Sequence, residues 1–127
     1  MKALLSIKPK YVDEIISGKK KYEFRKKIFK RDIDSIIVYC TSPIKMVVGE
    51  IFFSETISDT PRKIWKQCSD SSGISKNDFF SYYEGCPIAY AIKIERFKLY
   101  DKPLLLSDIK KDLKAPQSFI YIGIGEK

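Results

Sequence analysis

"SGKKKYEFRKK", residues 17–27, is the stretch that decides the fold, because a helix ends and a strand begins within it. Gly18 is a residue type that is favoured just past the end of a helix. In residues 20–26 the aromatic side chains alternate with charged ones, which is the pattern of a half-buried strand. Lys21, Glu23 and Arg25 share the polar face of this strand, so the sequence predicts a carboxylate between two cations.

The remaining elements follow from the same two periodicities. Apolar or alternating runs predict strands, and apolar residues at helical spacing predict helices. The predicted strands are residues 3–9, 20–26, 33–43, 45–57, 88–100 and 115–124, and the predicted helices are residues 10–19, 58–70 and 73–85. Gly49 lies inside the fourth strand and predicts a bulge or a tight bend. The order β-α-β-β-β-α-α-β-β predicts an α+β fold, a small β-barrel of about six strands with two to three flanking helices.

Size and composition predict a single globular domain. The chain has 127 residues, of which 44% are hydrophobic and 31% charged. No apolar run approaches the roughly 18 residues that a membrane-spanning helix needs. The first residues, "MKALLSIKPK", are interrupted by Lys8 and Pro9, so we expect a first strand there and not a signal peptide.

The absence of histidine restricts the possible chemistry. Ser-His and Cys-His nucleophile pairs and His-based metal sites are excluded. Cys40, Cys68 and Cys86 are odd in number, widely spaced and in no CxxC pair, so neither a disulfide framework nor a zinc site is predicted. We therefore expect no metal and no cofactor, and a reducing, cytoplasmic setting.

Positive charge is concentrated next to the deciding stretch. The formal net charge is +8, and eight of the thirteen residues from Lys19 to Arg31 are Lys or Arg. Such a field favours anionic partners, above all RNA or a nucleotide. A solvated surface that keeps a small protein soluble explains the charge equally well.

Four residues of this region carry a family resemblance. Gly18, Lys20, Glu23 and Arg25 match the G-x-K-x-x-E-x-R motif, and the chain resembles ASCH domains, which are small β-barrels related to the PUA fold. The flanking segments "LLSIKPKY", "VYCTSP", "VVGE" and "APQSF" are similar too. Because the resemblance covers nearly the whole chain, we expect residues 1–127 to form one stand-alone ASCH domain of PUA-like fold.

The resemblance implies a cleft beside the barrel that binds RNA or a nucleotide. One branch of the family, the small bacterial acetylcytidine amidohydrolases, uses the motif lysine, a threonine three residues later and a glutamate from the helical section. In this chain Lys20 matches the lysine, Glu23 stands at the threonine position, and Ser72 or Asp70 is nearest to the glutamate.

The motif residues have distinct expected roles. Lys20 is a phosphate anchor, or a base if burial lowers its pKa; one more surface lysine is the alternative. Glu23 stays ionised among cations and orients Arg25, or it accepts a hydrogen bond from the amino group of a base. Arg25 can grip a phosphate or a carboxylate with two hydrogen bonds.

Further polar residues are candidates for the same cleft, although turn and strand-end chemistry explains several of them as well. They are Ser6, Lys8, Thr41, Ser42, Gln117 and Ser118. Tyr22 and Tyr39 are candidates for stacking on a base or for the core. The other aromatic residues at core-like spacing are expected to pack inside, namely Phe79, Phe80, Tyr82, Tyr83 and Phe97.

Two functions are therefore predicted, with protein binding as a third if neither holds. The first is an RNA- or nucleotide-binding domain that holds an anionic ligand in a basic cleft. The second is a hydrolase that uses Lys20, with Glu23 or a hydroxyl beside it, and acts on acylated cytidine or, as a metal-independent ribonuclease, on RNA.

Overall fold

The structure, a computed structural model, describes residues 1–123, and within them six strands and four helices make up the fold. The strands are β1 (Lys2–Ile7), β2 (Tyr22–Arg25), β3 (Ser35–Cys40), β4 (Met46–Asp59), β5 (Ala89–Leu104) and β6 (Phe119–Ile122). The helices are α1 (Pro9–Ile16), α2 (Pro61–Cys68), α3 (Lys76–Tyr82) and α4 (Leu106–Ile109), and a 3-10 turn, Ser69–Ser71, follows α2.

The strands form one sheet in the order β2-β5-β4-β3-β1-β6. β1 and β3 are parallel, and every other neighbouring pair is antiparallel. The six-stranded sheet curls into a half-barrel flanked by helices, so the predicted α+β class is confirmed. The predicted order is also right up to β5, but the four-residue helix α4 was not predicted, and helices number four and not two to three. Ile124, the last residue of the final predicted strand, lies outside the described residues.

Helix α1 covers one face of the curled sheet. Pro9 occupies the first helical position, where its missing N–H costs no hydrogen bond. Val12 and Ile15 are buried against the largest apolar core. Gly18, with φ +84°, lies just past the helix end in the left-handed region that favours glycine, as its position in the sequence predicted. This turn places residue 20 directly before β2.

Helices α2 and α3 cover the opposite face of β2. The Thr60 hydroxyl accepts a hydrogen bond from the Lys63 backbone N–H (3.3 Å), and the Ser75 hydroxyl accepts one from that of Asp78 (3.1 Å). Both bonds satisfy backbone donors in the first helical turn. Phe24 of β2 packs edge-on against Phe79 of α3, with ring centroids 5.1 Å apart. The aromatic face of β2 is therefore buried, as predicted.

The irregularity expected at Gly49 is present in β4. The pairing register with both neighbouring strands shifts next to this residue. A Cβ atom there would lie 2.5 Å from the Lys98 carbonyl oxygen, so only glycine allows this approach of β5. The next residue, Glu50, is buried, pairs with Lys2 (Oε2 to Nζ, 2.8 Å) and accepts a hydrogen bond from Ser35. These contacts fasten β1, β3 and β4 together.

Candidate functional site

One cavity of about 790 Å³ lies where the curled sheet brings the motif together with the end of β1 and the segment before β6. Its remaining walls come from the first turn of α1, residues 26–27 and helix α3. These segments are far apart in the sequence. β1 and β6 are neighbours at one edge of the sheet and β2 forms the opposite edge, so they meet because the sheet is curled.

Lys20 forms part of the cavity floor and is buried, with 3% of its surface exposed. Its Nζ donates a hydrogen bond to the Ser72 carbonyl oxygen (3.0 Å) and lies 4.5 Å from the centroid of the Phe24 ring. Burial lowers the pKa of Lys20 from its ordinary value of 10.5, and the nearby Glu23 carboxylate opposes that effect. The motif lysine is therefore set apart from the exposed lysines on either side of it.

Glu23 is the centre of a buried ion-pair triad. Its Oε2 lies 3.1 Å from Nη1 of Arg25, and its Oε1 lies 3.9 Å from Nζ of Lys20. The side chain of Lys21, which the alternation placed beside Glu23, is exposed instead. The strand begins only at Tyr22, so the lysine before it does not continue the strand alternation.

Arg25 uses most of its donors within the protein. Nη2 donates to the carbonyl oxygen (3.1 Å) and the hydroxyl (3.0 Å) of Ser118, and Nη1 reaches the Ser6 carbonyl oxygen at 3.4 Å. Its Nε is buried and has no hydrogen-bond partner among the described residues. Arg25 thus ties β2 to β1 and to the segment before β6.

The rim of the cavity carries exposed cations. They are Lys8, Lys10, Lys26 and Lys27. Lys10 lies 3.7 Å from Asp78 of α3, a weak and exposed ion pair. With Lys20 and Arg25 on the floor, six cationic side chains and two carboxylates line the cavity. Positive charge prevails in its lining.

The structure brings together most of the side chains that the sequence singled out. Those that line the cavity are Ser6, Lys8, Lys20, Glu23, Arg25, Gln117 and Ser118. Thr41 and Ser42 do not line it; they lie in the turn after β3, where the Thr41 N–H donates to the Ile7 carbonyl oxygen. The hydroxyl of Ser6 donates to the Pro116 carbonyl oxygen (2.7 Å), which fixes the segment before β6.

Two tyrosines of the cavity were missed or placed wrongly by sequence reasoning. Tyr82 was predicted to pack inside, but it is exposed and lines the cavity, because α3 ends at this residue and turns it outward. Tyr11 also lines the cavity, and its ring centroid lies 5.2 Å from Nζ of Lys20. It was not predicted to line the cavity, although its position three residues after the candidate Lys8 could have indicated it. Tyr22 and Tyr39, the candidates for stacking, are absent from the lining and pack in apolar clusters.

The helical section supplies no carboxylate at the position considered from the sequence. Ser72 is buried and offers Lys20 its carbonyl oxygen, whereas Asp70 is exposed and does not line the cavity. Asp78 of α3 does line it, on the Lys10 side. Asp78 is therefore the carboxylate that the helical section contributes to the cavity.

Metal-binding and membrane-spanning features do not occur in the described part of the chain. Within residues 1–123 no group of three or more His, Cys, Asp or Glu side chains is placed to hold a metal ion. In the same range no helix is both long and apolar enough to cross a membrane.

The comparisons with known proteins agree with this architecture. A crystal structure of the ASCH protein from Zymomonas mobilis superposes with a TM-score of 0.88 at 25% identity, covering 97% of this chain and 88% of that one. A mutant form of the same protein gives a TM-score of 0.88 at 24% identity, covering 97% and 91%.

Two sequence relatives differ in how much of them the chain covers. One, from Zymomonas mobilis, is named ASCH domain-containing ribonuclease and is 26% identical over an alignment 124 residues long. That alignment covers 94% of this chain and 83% of that protein. The other, from Ureaplasma parvum, is named large ribosomal subunit protein uL22 and is 36% identical over 87 residues, which is 68% of this chain but only 28% of that protein. The model of the ASCH domain family matches residues 5–101, which include the whole motif and the cavity floor apart from Ser118. The chain therefore belongs to the ASCH domain family.

Proposed function

We propose that this domain binds RNA or a nucleotide in the cavity above the Lys20–Glu23–Arg25 triad. The observation that carries the proposal is the gathering of six cationic side chains around one cavity, four of them on an exposed rim. Phosphate groups are attracted by such clusters, and the attraction supplies most of the affinity for single strands. The nearly full-length relative that is named a ribonuclease supports an RNA ligand. The three unpaired cysteines fit the reducing, cytoplasmic setting that we propose for it.

The triad and the rim have different roles in this proposal. The hydrogen bonds of Arg25 to Glu23 and Ser118 are already made, so Arg25 is a positioning residue that shapes the floor. Lys20 has one hydrogen bond and a 3.9 Å ion pair, which leaves ammonium donors for a ligand. The rim lysines contact phosphates, whereas Lys20 and the tyrosine rings meet the ligand inside the cavity.

Binding of short labelled RNA by fluorescence anisotropy tests this proposal. We expect the affinity to fall steeply between about 50 and about 200 mM salt. Lys26→Gln/Lys27→Gln should make the fall of log K with log salt shallower, by about 1.4 in slope, or about 0.7 for each phosphate that is no longer neutralised. The matched control is Lys110→Gln/Lys111→Gln, two exposed lysines that do not line the cavity. Absent binding, or binding that is indifferent to salt, would refute the proposal.

A second candidate function is hydrolysis, and the burial of Lys20 favours it. A lysine whose pKa is lowered releases its proton more readily, as a general base requires, and the ring of Tyr11 lies beside it. In RNA cleavage without a metal ion, a base removes the proton of the 2′-hydroxyl, that oxygen attacks the neighbouring phosphorus, and an acid protonates the departing 5′-oxygen. The acetylcytidine reaction would instead need an activated water at the acyl carbon.

Activity assays separate the two functions. The parent and Lys20→Met are incubated with RNA and with acetylcytidine, and products are followed by chromatography. Cleavage that disappears in Lys20→Met while RNA binding persists identifies an enzyme. If the parent binds RNA but turns over neither substrate, only the binding function remains supported. Turnover that survives the substitution excludes Lys20 as the catalytic group.

A further inference from the structure

A second groove of about 390 Å³ lies next to the first cavity. It is formed between the loop that follows β2 and the outer ends of β4 and β5. Its lining combines aromatic rings, hydroxyls, the guanidinium group of Arg31 and, next to it in the chain, the carboxylate of Asp32. The residues that matter here are Phe29, Arg31, Phe53, Thr56, Ser58 and Tyr90.

The groove and the cavity share one face of the sheet. Arg25 of β2 is paired with Tyr90 of β5, and Tyr90 is paired with Ser58 of β4. Side chains of paired residues in antiparallel strands point to the same face. The second groove thus begins on the strand next to Arg25, and a ligand that leaves the cavity past Arg25 meets Tyr90 first.

A basic loop, residues 26–34, joins the two sites. Lys26 and Lys27 line the cavity, Arg31 lines the groove, and Lys30 is exposed between them. The loop is held in place from beneath: the Phe29 ring packs edge-on against Phe119 with centroids 4.9 Å apart. The Lys30 backbone N–H also donates a hydrogen bond to the Tyr121 hydroxyl (2.8 Å). The cations are therefore presented along a fixed line from one site to the other.

We propose that the second groove holds a nucleotide further along the same strand, beyond the span of a dinucleotide seated in the cavity, so that the ligand is single-stranded RNA several nucleotides long and not a free nucleotide. This inference rests on the proposed function of the cavity and names its substrate class. Tyr90 offers a ring for a base to stack on, and Thr56 and Ser58 offer exposed hydroxyls to its polar edge. The basic loop follows the phosphates between the two bases. A cationic track with aromatic platforms is the arrangement that binds single strands, whereas an acidic peptide has no planar base for Tyr90.

The test compares a labelled uridine dinucleotide with a labelled uridine octanucleotide on three variants. Lys30→Gln/Arg31→Gln removes two cations outside the cavity, Tyr90→Leu removes the ring, and Lys110→Gln/Lys111→Gln is the charge-matched control. We expect the loop variant to weaken octanucleotide binding about tenfold and to lower its salt slope by about 1.4. We expect Tyr90→Leu to weaken octanucleotide binding about fivefold. Neither variant should alter dinucleotide binding, and the control should alter neither ligand.

The outcomes distinguish this inference from the proposed function on which it rests. If the parent binds both RNAs equally and the loop variant matches the control, the inference is overturned while RNA binding in the cavity stands. The inference is also overturned if polyglutamate competes with the octanucleotide as well as unlabelled RNA does. If the parent binds neither RNA, the proposed function and this inference both fail.

Discussion

The Oε2 atom of Glu23 and the Nη1 atom of Arg25 lie 3.1 Å apart in an ion pair whose two residues are 5% and 9% exposed. The alternating pattern indicated their spacing but predicted an exposed pair. The difference matters because water screens an exposed pair almost completely, whereas a buried charge that loses its partner bears the full cost of desolvation. Glu23 is also the carboxylate that compensates Lys20, so one side chain balances two buried cations.

We therefore expect Glu23→Gln to lower the free energy of unfolding by about 3 kcal/mol, and not by the roughly 1 kcal/mol typical of an exposed pair. Urea denaturation measures this loss. Glu95→Gln, an exposed glutamate on β5, is the control and should change stability by less than about 0.5 kcal/mol. Equal small losses in the two variants would show that the triad is not desolvated.

The burial of Lys20 predicts a dependence of stability on pH. Its pKa is lowered below 10.5 chiefly by burial, so just below pH 10.5 the unfolded chain keeps a proton that the folded protein has released. Stability rises with pH wherever the unfolded state binds more protons. We expect the parent to gain stability relative to Lys20→Met as the pH is raised from neutral toward 10.5.

Unfolding free energies of the parent and Lys20→Met, measured across this pH range, check the prediction. The comparison cancels the titration of shared groups that do not interact with Lys20. Lys21→Met is the control because Lys21 is adjacent and exposed. A constant difference between the parent and Lys20→Met over the whole range would show that the Lys20 pKa is not lowered.

The sequence predicted the elements well because they depend on local pattern. The strand at Tyr22–Arg25, the helix end at Gly18 and the irregularity at Gly49 all follow from neighbouring residues, and the structure contains each of them. The predicted half-burial of that strand is wrong, because Glu23 and Arg25 on its polar face are buried too. Helix α4 has only four residues, which is too short for a helical period to be recognised. Local pattern therefore predicts the long elements and misses the short one.

The burial of the triad could not be predicted, because its partners come from distant parts of the chain. Lys20 bonds to Ser72, 52 residues away, and Arg25 bonds to Ser118, 93 residues away. An alternating pattern says which face a side chain occupies but not whether another segment covers that face. The same limit applies to Thr41 and Ser42, which follow the end of β3 and lie outside the cavity lining.

Arg25→Lys should loosen the segment before β6. A lysine at this position lacks the planar guanidinium group, whose two Nη atoms donate separately to Glu23 and Ser118. We expect a loss of about 2 kcal/mol, since hydrogen bonds of charged groups contribute about 1.5–3 kcal/mol. The Ser6 amide, which donates to the Ser118 carbonyl oxygen, should then exchange its hydrogen faster.

Hydrogen exchange of the parent, Arg25→Lys and Arg62→Lys separates this local effect from a general one. Arg62 is exposed on α2, so its replacement should leave the Ser6 amide unchanged. Unaltered exchange at Ser6 in Arg25→Lys would mean that backbone pairing alone holds the segment.

Gly73 fixes the place of Lys20 from the other side of the cavity floor. A Cβ atom at residue 73 would lie 2.9 Å from Cγ and 3.0 Å from Cα of Lys20, and closer still to its Cβ. The glycine also has φ +64°, in the left-handed region. Gly85 has φ +79°, but a Cβ atom there would meet no atom within 4 Å. Alanine at either position would therefore be strained by the left-handed backbone. Only alanine at position 73 would also clash with the side chain of Lys20.

We expect Gly85→Ala to lower the free energy of unfolding by about 1 kcal/mol, which is the cost of a left-handed alanine. Gly73→Ala bears the same cost and must in addition displace Lys20, so its loss should exceed that of Gly85→Ala by about 1–3 kcal/mol, as for overpacked sites. Because Lys20 meets the ligand in the proposed function, RNA affinity at low salt should fall in Gly73→Ala and stay unchanged in Gly85→Ala. Urea denaturation and anisotropy on the two variants supply both readings. If the two alanines cost the same and bind RNA alike, the side chain of Lys20 is not held against Gly73.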